Sequence, residues 1–338
     1  MSTVHGGAAA VAVLTRGSSV AGLTFEDADF SGSSLVGRDL SGATFVRCRA
    51  TGSDATGGQL ATSTWIECDL SGMRLVKADM RGATLHGCIL AGSDLSGALL
   101  ASALLVDVVW RSTVLRGAQL ASVSLDGVDL DQLDLREASL SDCSLVGARG
   151  SALALPRCSL VRCSFQGARL ERADFTGANL TGTSFTLASV PRGRFAGATM
   201  TGVKAFKADF SAADFTGAAL AQAAFTQAKL HDARFDEAKA PQSQWQQCDA
   251  MRARFVRADL RQSLWQHARA PGADFGGALL AGADLHDLEA PSARWDGADL
   301  SGVKRTDQAL LAAENWRPQR TAQPPPAIPP VPPPAVKG

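Results

Sequence analysis

Thiols, imidazoles and carboxylates are the groups on this 338-residue chain best suited to chemistry: seven cysteines, five histidines and 33 acidic side chains. Thiolates would ligate a soft metal or exchange electrons, imidazoles would ligate or move protons, and paired carboxylates would act as acid and base. Their positions in the chain argue against all three. Cys48, Cys68, Cys88, Cys143, Cys158, Cys163 and Cys248 all stand two residues before a multiple of five. About half of the acids stand one residue before it, among them Asp29, Asp79, Asp174, Asp259, Asp284 and Glu289. Residue types held to one phase of a five-residue count are being placed by backbone geometry. The cysteines then read as small buried apolar residues, and the acids as side groups that bond the backbone at turns.

The elements that impose this count run from Phe25 to Leu300, where every multiple of five is apolar, mostly Leu or Phe. Five is neither the 3.6 of a helix nor the 2 of a strand. It requires a chain that turns a corner every five residues and points one central side chain inward each time. Residues two before the centre are mostly small, with Arg38 the one charged exception. A period of 20 is nested above this. Phe175, Phe195, Phe215, Phe235, Phe255 and Phe275 form one series, continued by Trp295, and Leu100 to Leu180 form another. Four pentads per coil, stacked in register, explain both series. Residues 21–300 would then make about 14 coils, a tower roughly 65 Å tall at the ~4.8 Å strand spacing. Large and small centres share coils, as Trp245 with Ala250 and Trp265 with Ala270. Gly recurs two after the centre, where permissive backbone is needed. Pro156, Pro191, Pro241, Pro271 and Pro291 all stand one after it.

The triplets Ala28-Asp29-Phe30, Ala173-Asp174-Phe175, Ala178-Asn179-Leu180, Ala258-Asp259-Leu260 and Ala298-Asp299-Leu300 resemble the A-(D/N)-L-x-x motif of the pentapeptide repeat family. The resemblance implies an all-β fold, a right-handed quadrilateral β-helix with the Leu or Phe and the Ala inside. It also implies a protein that is not an enzyme. Some members resemble duplex DNA in size and charge and bind type II topoisomerases, and others are associated with bacterial secretion systems.

No cofactor or metal site is expected. Stacked cysteines point in parallel and do not converge on one ion. His86, His231, His267 and His286 are placed at solvent-facing corners, and no phosphate loop, zinc spacing or nucleophile elbow occurs. Lys plus Arg equals Asp plus Glu at 33 each, which disfavours nucleic acid as a partner and makes an acidic mimic of DNA the second choice. No run is long enough to span a bilayer, so a soluble, cytoplasmic protein without membrane insertion is expected, export without a signal peptide being left open.

The expected organisation is an N-terminal cap or irregular segment at 1–20, the repeat body at 21–305, a short capping helix at 306–317 and a Pro-rich disordered tail at 318–338. The helix would start at Thr306 or Asp307 and lay Leu310, Leu311 and Trp316 over the end of the tower as a lid, with a homodimer through this end as the second option. Charge is uneven: residues 21–148 and 271–300 are acidic and 149–270 basic. The candidate contacts for a protein partner are therefore a basic belt of Arg192, Arg194, Lys204, Lys207, Arg252, Arg254, Arg257 and Arg261, and Pro326, Pro329 and Pro332 in the tail. The function expected is an interaction scaffold, in one version a secretion-system accessory or effector.

Overall fold

Most pentads fold into a four-residue turn, in which the N–H three residues after the centre donates to the central C=O, as from Ser33 to Phe30 at 3.0 Å. The residue two after the centre takes a left-handed φ near +60° at every such position from 22 to 302 except Gln132 and Ala152. Gly32 does so without strain, whereas Arg47 (φ +49°) accepts about 1–2 kcal/mol of steric cost. Proline at the second turn position presets the corner, as Pro191 before Arg192 (φ +58°). This is a computed structural model, and it describes residues 3–15 and 19–316.

Successive coils pair in parallel with a 20-residue offset. Leu35 N–H donates to Asp54 C=O at 2.6 Å, and Asp54 N–H to Ser33 C=O at 3.0 Å. The same offset runs from Thr24 with Thr44 to Asp284 with Lys304, making a β-helix. One side carries a six-stranded parallel sheet: β1 (Thr3–His5), β2 (Thr24–Glu26), β3 (Thr44–Val46), β4 (Thr64–Ile66), β5 (Thr84–His86) and β6 (Leu104–Val106). Helix α1 (Gly7–Thr15) follows β1 and buries Ala10 and Leu14 against the core.

The centres fill the interior as their spacing predicts. Phe175, Phe195, Phe215, Phe235, Phe255, Phe275 and Trp295 stack in one column, with ring centroids 5.2, 4.7, 4.6, 5.0, 5.1 and 4.3 Å apart. All seven cysteines are free and buried. The thiol of Cys48 donates to Phe25 C=O, and that of Cys143 to Leu120 C=O. Burial pushes the Cys158 and Cys248 thiols up, so both stay protonated and unreactive. The acids before the centres bond the backbone two residues on, as Asp29 accepts from Ser31 N–H at 2.9 Å.

Buried tryptophans follow a rule of their own. The indole N–H of Trp65, Trp245 and Trp265 donates to the hydroxyl of Ser63, Ser243 and Ser263 at 2.8, 2.7 and 2.8 Å. Each serine stands two before its Trp and donates in turn to a backbone carbonyl. Trp110 and Trp295 follow Val108 and Ala293, so neither has that acceptor.

The C-terminal lid is corrected. Helix α2 (Gln308–Glu314) forms, with the Asp307 carboxylate accepting from Ala309 and Leu310 N–H at 2.9 and 3.2 Å. It buries none of its residues; Leu310 is 49% and Trp316 71% exposed. Leu285, Leu288, Trp295 and Leu300 stay only partly buried around an opening of about 520 Å³. The cause is Glu314, which bonds His286 and His267 on an outer corner and holds α2 beside the tower.

Candidate interaction surfaces

The coil-to-coil ladder opens at two places. Among the described residues, no backbone bond joins Leu105, Asp107, Trp110 or Ser112 to the coil after it, and none joins Ser124 or Asp129 to the coil before it. The neighbouring sides of the same coils stay bonded, as Leu100 N–H to Gln119 C=O and Leu115 N–H to Asp134 C=O. The result is a split along two sides, with a cavity of about 590 Å³. Leu105, Val108, Trp110 and Val128 form its apolar lining, and Asp107, Asp126, Asp129 and Arg111 its charged lining. Val109, also in the lining, is 47% exposed, and Leu104 beside it 54%.

The cause lies in Val108 and Val128, 20 residues apart and both two before a centre. Single larger residues at this position, such as Val203 and Met73, have only small residues 20 before and 20 after, and the ladder closes around them. Two stacked ones force the coils apart. The indole of Trp110, lacking its serine, gains access to solvent in the same place. The second opening repeats the pattern. Leu133 and Leu153 are also stacked, and ladder bonds from Gln132, Leu135, Glu137 and Ala154 are missing. Here Gly150 stands at a centre with Leu153 packed beside it: a Cβ added to Gly150 would make ordinary contacts with Asp131 Oδ1 (3.4 Å), Leu153 Cβ (3.5 Å) and Leu170 Cδ2 (3.6 Å). The Asp131 carboxylate bridges the gap by accepting from Ser151 N–H at 2.7 Å. The spacing of 20 at these four positions was the sequence signal for both openings.

The basic belt is more dispersed and more neutral than its sequence implies. In the 20-residue register Arg192, Arg194, Arg252, Arg254 and Arg257 lie on one side and its corners, Lys204 and Lys207 on the opposite side, and Arg261 at a further corner. Arg192 pairs with Glu171 (3.1 Å), Arg194 with Asp174 (3.5 Å), Arg252 with Asp232 (2.7 Å) and Arg254 with Asp236 (3.1 Å). Arg257 pairs with Glu237, and Arg261 with Asp259 at 2.7 Å. The Arg252 and Arg261 guanidiniums hold the Asp232 and Asp259 carboxyls below their usual range. Among the described residues Lys204 has no ion pair, and Lys207 lies 5.1 Å from the centroid of the exposed Phe206 ring. Pro326, Pro329 and Pro332 lie outside the described residues.

The histidine expectation is corrected at one position. His286 is buried, 5% exposed, because α2 returns across it. His267 lies beside it, with ring centroids 5.6 Å apart, and both face Glu314. Neither the sequence spacing nor the repeat phase links Glu314 to these residues; only the path of α2 does.

A parallel β-helix with one inward side chain every five residues defines the class of protein. Pentapeptide repeat profiles match residues 25–60, 66–100, 93–132, 194–232 and 228–264, and a pentapeptide repeat region profile matches 118–190. The chain belongs to the pentapeptide repeat family, whose members are generally structural or interaction proteins. It is similar to HetL, a pentapeptide repeat protein involved in heterocyst differentiation regulation in the cyanobacterium Nostoc sp. strain PCC 7120. That match has 24% identity over 83% of this chain and 88% of HetL, with a TM-score of 0.18. It is also similar to full-length QnrB1, a plasmid-mediated fluoroquinolone resistance protein, at 19% identity over 80% of this chain and 98% of QnrB1, with a TM-score of 0.21. Comparison with curated proteins returned no match. Among the described residues no helix is long and apolar enough to cross a membrane.

Proposed function

We propose that this chain is a non-enzymatic protein-binding scaffold, and that the split between coils receives an extended segment of its partner. The observation that supports this is the pair of facing strand edges with unpaired N–H and C=O groups at the split between residues 105–112 and 124–131. Native sheets cover or pair such edges, and an open one takes an added strand through backbone bonds. Leu104, Val109, Val108 and Trp110 offer apolar contact to the added segment. Asp107, Asp126 and Asp129 outnumber Arg111, so the segment is apolar with basic residues. The protein's own Pro-rich end is poorly suited, because proline brings no N–H to the ladder. A secretion-system accessory is one narrower version, and it rests on family resemblance alone.

Val108→Ser provides the test, since it should close the split. Extended peptides alternating apolar and basic residues are titrated onto the full chain, onto Val108→Ser and onto a chain lacking 318–338. Peptide should protect the amides of Leu105, Ser124 and Asp129 from exchange in the full and tail-deleted chains, and binding should fall at least about tenfold in Val108→Ser. Binding that survives Val108→Ser, or that leaves those amides unprotected, overturns the reading.

A further inference from the structure

We propose that His267, His286 and Glu314 bind a divalent transition-metal ion of the zinc type, which pins α2 to the tower. Glu314 Oε2 lies 3.2 Å from His286 Nε2 and 3.4 Å from His267 Nε2, and the three atoms all lie within 4.8 Å of one another. A tetrahedral ion with ligands at 2.0–2.1 Å sets them about 3.3 Å apart, so each nitrogen already stands at an edge distance from the carboxylate oxygen, with all three ligand atoms inside 4.8 Å. Two imidazoles and one carboxylate, with a position left for water, suit zinc better than calcium or magnesium.

The surroundings orient these ligands. Asp287 Oδ2 lies 3.0 Å from His267 Nδ1, the outer carboxylate that fixes a ligating imidazole and turns its Nε2 to the ion. His286 faces Glu314 through Nε2 and accepts from Asp307 N–H through Nδ1 at 3.2 Å. Without an ion, His286 Nε2–H donates to Glu314. Binding therefore shifts the His286 proton to Nδ1, and the Asp307 N–H gives up that bond. His286 is buried, while His267 and Glu314 are half-exposed, which leaves an entry path. The cysteines are not competitors in the folded protein, since all seven are buried in the core.

Zinc is titrated calorimetrically into the untagged full-length protein, with cobalt(II) absorption as the second readout. One saturable ion per molecule is expected, with no thiolate charge-transfer band and slower amide exchange in α2. Glu314→Gln and His267→Ala should each weaken binding at least about tenfold, and Asp287→Asn by about tenfold; circular dichroism of each variant checks that the tower is intact. Absence of saturable binding in the micromolar range, equal binding by the His267→Ala/Glu314→Gln variant, or thiolate bands overturns the proposal.

Discussion

Val108→Ser is a substitution that removes core volume and yet should stabilise the protein. The deletion costs about 0.8 kcal/mol per buried methyl, so at most ~1.6 kcal/mol for two, and Val108 is only half-buried. The new hydroxyl stands two before Trp110, where Ser63, Ser243 and Ser263 stand before their tryptophans, and supplies the missing acceptor. Val128 is then a single larger residue between small neighbours, the arrangement tolerated at Val203. If the coils close, the N–H groups of Leu105, Asp107, Trp110, Ser112, Ser124 and Asp129 regain ladder partners. At the low end of about 0.5–1.5 kcal/mol per net bond, the set contributes on the order of 3 kcal/mol. The expected outcome is a gain of about 1–3 kcal/mol in urea unfolding, with those amides newly protected from exchange. The control is Val203→Ser, where the ladder is already closed (Lys204 N–H to Thr183 C=O at 3.0 Å, Ala224 N–H to Val203 C=O at 2.8 Å), and which should lose about 1–2 kcal/mol. If Val108→Ser loses as much as the control and its amides still exchange fast, stacked large residues are not what opens the ladder.

Leu153→Ala should cost about 2–5 kcal/mol by denaturant unfolding, because Leu153 is buried beside Gly150, a centre that brings no side chain of its own; a cost below about 1 kcal/mol would mean the coil collapses to fill the space. Ala270→Leu should lose about 1–3 kcal/mol, since Ala270 is fully buried in the coil that holds Trp265; unchanged stability would refute the volume compensation. Hydrogen bonds from Ser31 and Ser41 hold the Asp29 and Asp39 carboxyls below the usual range, and those from Arg81 do so for Asp79. A depressed folded pKa contributes stability above the unfolded value, about 3.9, and loses it as pH falls through the folded pKa. Urea midpoints should therefore hold steady above about pH 5 and decline below about pH 4; a midpoint that rises on acidification would contradict these bonds.

The fivefold count made most of the tower legible, because one inward side chain per corner leaves a pattern that survives in a single sequence. It also placed Cys48 and Asp29 in structural roles, as found. The split was legible only in a second dimension. Val108 and Val128 are unremarkable within their own pentads and conflict only when read 20 residues apart. Trp110 announces its missing partner only once the Ser-x-Trp pairs are recognised as hydrogen-bonded units. The pairing within the belt was not legible in charge counts alone, because it depends on the register, which places an acid within reach of most of its arginines, as Asp232 below Arg252. Glu314 carries no periodic signal at all, since α2 leaves the count and its return to His286 is a matter of tertiary path.

Because each coil is coupled only to its neighbours, the two openings also mark where that coupling is weakest. They divide the tower into an N-terminal stack that includes α1 and a C-terminal stack built on the continuous aromatic column from Phe175 to Trp295. Cooperativity in such a protein is only as long-ranged as its weakest interface. Unfolding should therefore proceed in two blocks, with the break falling between residues 103 and 156, and a single two-state free energy would describe neither block.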